Sequence, residues 1–343
     1  MKEDARQEII WMDWAKFIGI FLVVFGHLLQ TMDNWHHPEL LNLWNLIYCF
    51  HMPLFFVLSG YMYKKSHSFK KIFHTLVIPY FIYQLLFLPA ALVMNMRDDG
   101  FSFVLLCKQV LGVFLGDGYN TSISYYDCLP CWFIVSMIQI RIIFHFMSIN
   151  RRSIFLLLIV CPVLLLLFKV YNIDLVFCLD CTLLAIPYFL IGYVLAKSEL
   201  LSKIKTNGGG YLCSLLCMII LVIVYRVNGP TQMNGPSYGK NLLLNYIGGL
   251  AGSLMIIFAV IKIKKIDIYT KQVARNTLFL IFYHWVVLLV FGHIGFFNVW
   301  LFFDNFVWAA FVMVAYSILV LYSSIPIICF LNKKYPVVLG KKK

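Results

Sequence analysis

Charge is scarce in this chain: only 13% of its 343 residues are Asp, Glu, Lys or Arg, and the acidic ones number 15. A soluble surface needs roughly a quarter of its residues charged, so an ordinary soluble domain is excluded. The motifs of soluble enzymes are missing too. There is no GxSxG, Walker A, Rossmann GxGxxG or HExxH, and Gly208-Gly209-Gly210 reads as a loop leading into a helix rather than a phosphate cradle. The N-terminal MKEDARQEIIWMDWAK lacks the apolar core and small-residue cleavage site of a signal peptide. Its first apolar segment is long enough to stay as a membrane span. No repeat recurs at a fixed period, and the terminal Lys run is the sole low-complexity stretch.

What remains is apolar. Hydrophobic residues make up 62% of the chain and mean hydropathy is +0.85, values of a polytopic membrane protein. Hydropathy predicts spans near 14–32, 43–63, 73–95, 129–148, 153–169, 182–197, 210–227, 242–262, 276–295 and 304–331. The stretch 102–116 contains Lys108 and falls short of the roughly 20 residues a spanning helix needs, so it reads as re-entrant or interfacial. The expected fold is all-α: a polytopic transmembrane helix bundle of about ten spanning helices plus that short segment, forming a single integral-membrane domain over 1–343 without a soluble domain. With a cytoplasmic N-terminus, 22 of the 28 basic residues fall on the inside and Lys262 to Arg275 stays there. Counting 102–116 as an eleventh span would invert that cluster. Both termini are therefore expected in the cytoplasm and the chain in the inner (plasma) membrane. The formal charge of +13 reports this topology, not nucleic-acid binding.

Against that background, Asp13 to His27, DWAKFIGIFLVVFGH, is costly. Lys16 and His27 are eleven positions apart, three turns plus about 20°, so they share one face roughly 16 Å apart. Ionisable groups inside a membrane normally face protein or a water-filled cavity, and by default they mark a functional site. Asp13, one turn before Lys16, can pair with it or orient a ring. His51 is expected at a depth like that of His27, so that the two imidazoles meet; alternatively it bonds the backbone beside a kink at Pro53. Imidazole is the natural base for a hydroxyl proton near neutral pH. His284, in NTLFLIFYHW, either joins that site or ties two helices together. Mid-span Arg141 requires a counter-charge or a water-filled cavity. Lys64, Lys65, Lys70, Lys71 and His74 are either topology signals or receivers of an anionic ligand. Four cysteines form the pairs Cys128/Cys131 and Cys178/Cys181, whose spacing suits a disulfide pair or a metal but equally ordinary apolar cysteines; no metal is expected.

These residues carry a resemblance. Asp13 to His27 with Lys16 ten intervening residues before His27, then FHMPLFFVLSGY over 50–61, Pro79-Tyr80, Cys131-Trp132-Phe133 and the segment from Asn276 to His284 together resemble the membrane acyltransferase 3 superfamily. Within it, the chain looks most like the branch of fucose 4-O-acetylases and related sugar O-acetyltransferases. The resemblance implies an enzyme that moves an acetyl group from cytoplasmic acetyl-CoA to a sugar hydroxyl of a cell-surface polysaccharide or its lipid-linked precursor. It assigns His27 as general base or acyl carrier, with His51 and Asp13 beside it. Lys16, Lys71, His74 and Arg141 are expected to engage the cofactor, and Asn276 and His284 are further candidates. Where the family often has Arg-x-x-Arg, this chain reads Lys71-Ile72-Phe73-His74, leaving one firm cation and one titratable ring. Ser59-Gly60 is expected to serve packing. The competing classes are a transporter or flippase for a lipid-linked sugar, with the intramembrane His and Arg as a relay, and a structural membrane protein that recruits partners. Expected partners are acetyl-CoA, a glycan or lipid-linked glycan and membrane lipids, without nucleic acid.

Overall fold

The computed structural model describes residues 2–30, 37–64, 68–100, 102–116, 129–171, 173, 175–206, 208–235, 237–293 and 305–341. Their secondary structure is helical, with one isolated bridge between Gln232 and Ser237 among the described residues. In chain order the helices are α1 (Lys2–Gln30), α2 (Pro38–Tyr48), α3 (His51–Tyr61), α4 (Phe69–Ile72), α5 (Ile78–Asp99), α6 (Phe103–Leu115), α7 (Trp132–Phe146) and α8 (Arg151–Val170). They continue with α9 (Leu179–Lys197), α10 (Leu200–Thr206), α11 (Gly210–Asn228), α12 (Leu242–Val260), α13 (Ile268–Arg275), α14 (Thr277–His293), α15 (Phe306–Ser323) and α16 (Ile325–Lys334). A π-helical turn, Phe73–Val77, joins α4 to α5.

The fold is an all-α polytopic bundle. Eight helical segments among the described residues are long and apolar enough to cross a membrane, and α13 with α14 makes a ninth if a pair bent by 89° is one span. Two shorter apolar helices, α6 and α7, complete the set. For α6 this agrees with the short segment anticipated at 102–116. The window 129–148 is a different matter: Leu129–Cys131 around Pro130 is a 3-10 turn, so α7 has 15 residues, shorter than a full span. In α8 and α11 the most apolar windows have hydropathies of 2.8 and 2.2, yet only 11% of each is buried. Apolar side chains left outside a protein core in this number are solvated by lipid, not water.

Two compact units emerge from the packing. The first comprises 1–63, 188–233 and 237–329, the second 64–187, 234–236 and 330–343. In the first unit α1 is the hub, packing on α2, α3, α12, α13, α14 and α15. An added Cβ at Gly60, at the end of α3, would collide with the Phe189 carbonyl, and one at Gly192 with that of Val57, so these glycines let two backbones touch. Gly60 thus serves packing, as expected of Ser59-Gly60. Helix starts here follow local chemistry: Asn150 and Ser153 form a reciprocal capping box at α8, and Asn241 accepts from two amides at the start of α12.

In the second unit, the Tyr80 hydroxyl donates to the Val113 carbonyl at 2.8 Å, and that of Tyr83 to the Val338 carbonyl at 2.6 Å. These bonds tie α5 to α6 and to the C-terminal turn. Cys131, Cys178 and Cys181 are buried thiols, and Cys178 donates through Sγ to the Gly116 carbonyl at 2.9 Å. Cys128 lies outside the described residues. No group of three or more metal-ligating side chains occurs among the described residues.

Candidate functional site

The break between α2 and α3 decides where His51 stands. Pro53 has no amide hydrogen, so the Cys49 carbonyl loses its helical donor four residues on, and the helix restarts at His51. There the buried His51 ring donates through Nδ1 to the Ile47 carbonyl at 2.9 Å. A carbonyl only accepts, so this bond assigns the proton to Nδ1 and leaves a lone pair on Nε2. His284 in α14 repeats the arrangement, with Nδ1 donating to the Leu280 carbonyl at 2.7 Å. Its ring is wholly buried, and Nε2 has no hydrogen-bond partner among the described residues. An unmet acceptor of this kind costs about 1–3 kcal/mol.

His27, near the C-terminal end of α1, packs beside this ring. The His27 and His284 ring centroids are 5.2 Å apart, and the Trp285 ring lies 5.3 Å from that of His27. The Trp285 Nε1–H is a buried donor, likewise without a partner among the described residues. Nδ1 of His27 is 3.4 Å from the Tyr48 hydroxyl and 3.3 Å from the Gln30 side-chain oxygen, to which that hydroxyl donates at 3.2 Å. Tyr48 stands beside both imidazoles, its ring 6.2 Å from His27 and 4.7 Å from His51, and is the phenol of this cluster. An imidazole packed against His27 is that of His284.

Three to four turns earlier, near its middle, α1 is ionic. Asp13 is 3% exposed and accepts from the Arg275 guanidinium, Nη2 at 3.0 Å and Nε at 3.1 Å from the same carboxylate oxygen. Lys16 is half-buried one turn on, within electrostatic reach of both. The partner of Asp13 is thus Arg275, not Lys16 as one reading of the spacing had it. Two further bonds fix this region: Trp14 Nε1 donates to the Lys265 carbonyl at 2.9 Å, and the Thr270 and Tyr322 hydroxyls are 2.8 Å apart. Buried Asn276 sits at the α13–α14 bend and donates to the Gln272 carbonyl at 2.6 Å. Between Asp13 and His27 the helix covers about 21 Å.

A family model described as an acyltransferase domain matches residues 9–322, from the turn of α1 before Asp13 to the end of α15. The chain belongs to the acyltransferase 3 family. It is also 45% identical over 64 residues to nodulation protein NolL of Sinorhizobium fredii (strain NBRC 101917 / NGR234), a match covering 17% of this chain and 16% of that protein. No solved structure matches.

In this acyltransferase, Asp13, Lys16, His27, His51, Asn276 and His284 all belong to the first compact unit. Asp13, Lys16 and Asn276 gather near the middle of α1, and the three imidazoles gather towards its C-terminal end. Lys71, His74 and Arg141 belong to the second unit. There Lys71 is exposed, His74 lies half-buried in the π-helical turn, and Arg141 is half-buried in α7. Three residues of the site escaped sequence reasoning: Tyr48, Trp285 and Arg275. The signal for Arg275 was present, since a buried Asp13 demands a cation and Arg275 precedes the Asn276 segment. Tyr48 and Trp285 are common in apolar helices and carry no such signal.

Proposed function

We propose that this membrane acyltransferase is an O-acetyltransferase, moving an acetyl group from cytoplasmic acetyl-CoA to a sugar hydroxyl of a cell-surface polysaccharide or its lipid-linked precursor. One observation supports it best: beside His27 lie a buried acceptor, His284 Nε2, and a buried donor, Trp285 Nε1–H, both without a partner among the described residues. A sugar hydroxyl adjacent to the reacting one can donate to the first, and a thioester carbonyl turning into an oxyanion can accept from the second. The thioester already carries the driving force, so the protein has only to align the two substrates, take a proton and stabilise the oxyanion. In the proposed step His27 accepts the proton of the sugar hydroxyl while its oxygen attacks the acetyl carbonyl. The C–O bond forms, the C–S bond breaks, and the proton passes from His27 to the departing thiolate. A route through acetyl-His27 would instead release CoA before the acceptor binds.

Lys16, Lys71, His74 and Arg141 are proposed to serve the cofactor, an anion that cations draw in. Lys71→Ala should raise the KM for acetyl-CoA more than that for the acceptor; equal effects on both would argue against the assignment. The sugar acceptor rests on the likeness of Asp13–His27 and 50–61 to the fucose 4-O-acetylase branch. Purified protein in vesicles tests the whole reading. Free CoA should appear when acetyl-CoA and acceptor glycan are both supplied, and a burst of CoA without glycan would mark the acyl-histidine route. Movement of a lipid-linked sugar across the vesicle with no thioester turnover would replace the enzyme by a flippase.

A further inference from the structure

The first unit also holds a cavity of about 710 Å³ that none of these residues uses. It is walled by the ends of four helices, with Trp11 of α1, Tyr61 of α3, Ala196 of α9 and Ile261 beyond α12, and by the α10 residues Ser202, Lys205 and Thr206. Lys262 and Lys264 complete it. Its size suits a ligand of drug or cofactor dimensions, for which sites run about 300–1,000 Å³.

Its charge is unbalanced. Lys205, Lys262 and Lys264 make no ion pair among the described residues, and Lys205 and Lys262 are only half exposed. The one carboxylate in the lining, Glu199, is taken up by Lys203 at 3.1 Å. The hydroxyls of Ser198 and Ser202 donate to backbone carbonyls, so their oxygens are left to accept. On one side Trp11 and Tyr61 stand edge to face with centroids 5.4 Å apart. Three lysines lining one cavity beside aromatic rings and hydroxyl acceptors are a receptor for an organic polyphosphate, with the rings meeting a flat base and the hydroxyls its amino group. Position adds to this. Trp11 lies sixteen residues before His27 on one helix, so the cavity mouth and the base are separated by about 24 Å. Such a distance needs a donor whose anionic end and reactive end are joined by a long flexible arm.

We infer that this cavity seats the nucleotide end of the acyl-CoA donor, with Lys205, Lys262 and Lys264 on its phosphates. The inference rests on the acyl-CoA reading above. An anionic lipid headgroup shares the phosphate chemistry, and it is separated from the nucleotide by the test.

The experiment compares the wild type with Lys205→Ala, Lys262→Ala and Lys264→Ala, singly and combined, in nanodiscs of neutral lipid. Each is assayed for CoA release with acetyl-CoA and with acetyl-pantetheine, which lacks the nucleotide. Each lysine removed should raise the KM for acetyl-CoA about tenfold, the usual weight of a hydrogen bond to a charged group. Rates with acetyl-pantetheine should stay those of the wild type, Lys262→Arg should restore the KM, and adenosine 3′,5′-bisphosphate should inhibit wild type and not the triple variant. Since Lys264 is exposed, its single variant gives a reading even if the triple variant is unstable. Unchanged KM in a wild-type-like fold overturns the inference while leaving the enzyme reading intact. So does a defect seen only when phosphatidylglycerol replaces the neutral lipid, which assigns the cavity to a headgroup. No turnover of acetyl-CoA by the wild type, with no bisphosphate binding, defeats the enzyme reading itself.

Discussion

Asp13 and His27 lie on one helix about 21 Å apart, yet their surroundings solve the problem of polar groups in an apolar bundle in opposite ways. Around Asp13, near the middle of α1, charge is kept and cancelled: Asp13 is held by two nitrogens of Arg275, with Lys16 close by. At the C-terminal end charge is avoided. His51 and His284 each donate through Nδ1 to a backbone carbonyl four residues back, and in the neutral ring this leaves the lone pair on Nε2. A buried ion pair left with one member is strongly destabilising, so the first region is built to stay as it is. The second contains, around His27, a donor and an acceptor without a partner among the described residues, and those are groups a substrate can satisfy. The contrast assigns anchoring to one region and proton chemistry to the other.

The sharpest way to break that contrast is at His27. His27→Ala should lower acetyl transfer by about 10²–10⁴-fold, the range of a lost general base, with the protein still present in the membrane at wild-type level. Full activity in that variant would make the ring structural and move the chemistry elsewhere. Trp285→Phe comes next. It keeps the ring packed against His27 but removes the N–H, and should reduce kcat by about a hundredfold with little change in KM, as expected for a donor used only in the transition state. A KM effect alone would mean that Trp285 shapes the pocket and does not serve an oxyanion.

The helical class was legible because hydropathy and charge asymmetry are properties of segments, which need no knowledge of neighbours. The shared face of Lys16 and His27 was legible for the same reason. Pairings across the chain were not: Asp13 and Arg275 are 262 positions apart, and periodicity says nothing about which helix meets which. Arg275 therefore looked like one more inside charge. Equal depth brought His27 and His51 to one level of the bundle. Depth cannot register a break, and it is the break at Cys49–Phe50 that sets Tyr48 against the His51 ring. At 276–295 hydropathy found the apolar half, α14, but missed α13, because that eight-residue helix is polar and meets α14 at 89°.

A third test addresses the anchoring region. Asp13→Asn should cost about 2 kcal/mol of stability, less than the 3–5 kcal/mol of a fully buried pair because the Arg275 side chain is 45% exposed. Asp13→Leu combined with Arg275→Met should recover most of it, since two apolar residues leave no buried charge behind. The measurement is a double-mutant cycle in melting temperature alongside CoA release. If the double variant regains stability but not turnover, the pair also positions the donor. If both return, the pair is an anchor and nothing more.

The smallest expected effect comes from the cap of α13, the helix that presents Arg275. Asp267 accepts from the amides of Tyr269 and Thr270, each at 2.9 Å. Hydrogen bonding, that of the Thr270 side chain foremost, holds its carboxyl below the usual carboxylate range. A lowered folded-state pKa gives stability that is present above the unfolded value of about 3.9 and lost as pH falls through the folded one. Between pH 5 and 9 the cap is therefore constant, and any change in turnover over that range belongs to other groups. Asp267→Ala should cost about 1 kcal/mol at pH 7, whereas Asp267→Asn, which caps without titrating, should cost little. Melting at pH 7 and at pH 3 separates the two contributions: the wild type should lose its small advantage over Asp267→Asn at the lower pH. An advantage that instead grows on acidification would mean that α13 is held by Arg275 and Asp13 alone, making the anchoring region a single ion pair and not a capped helix that carries one.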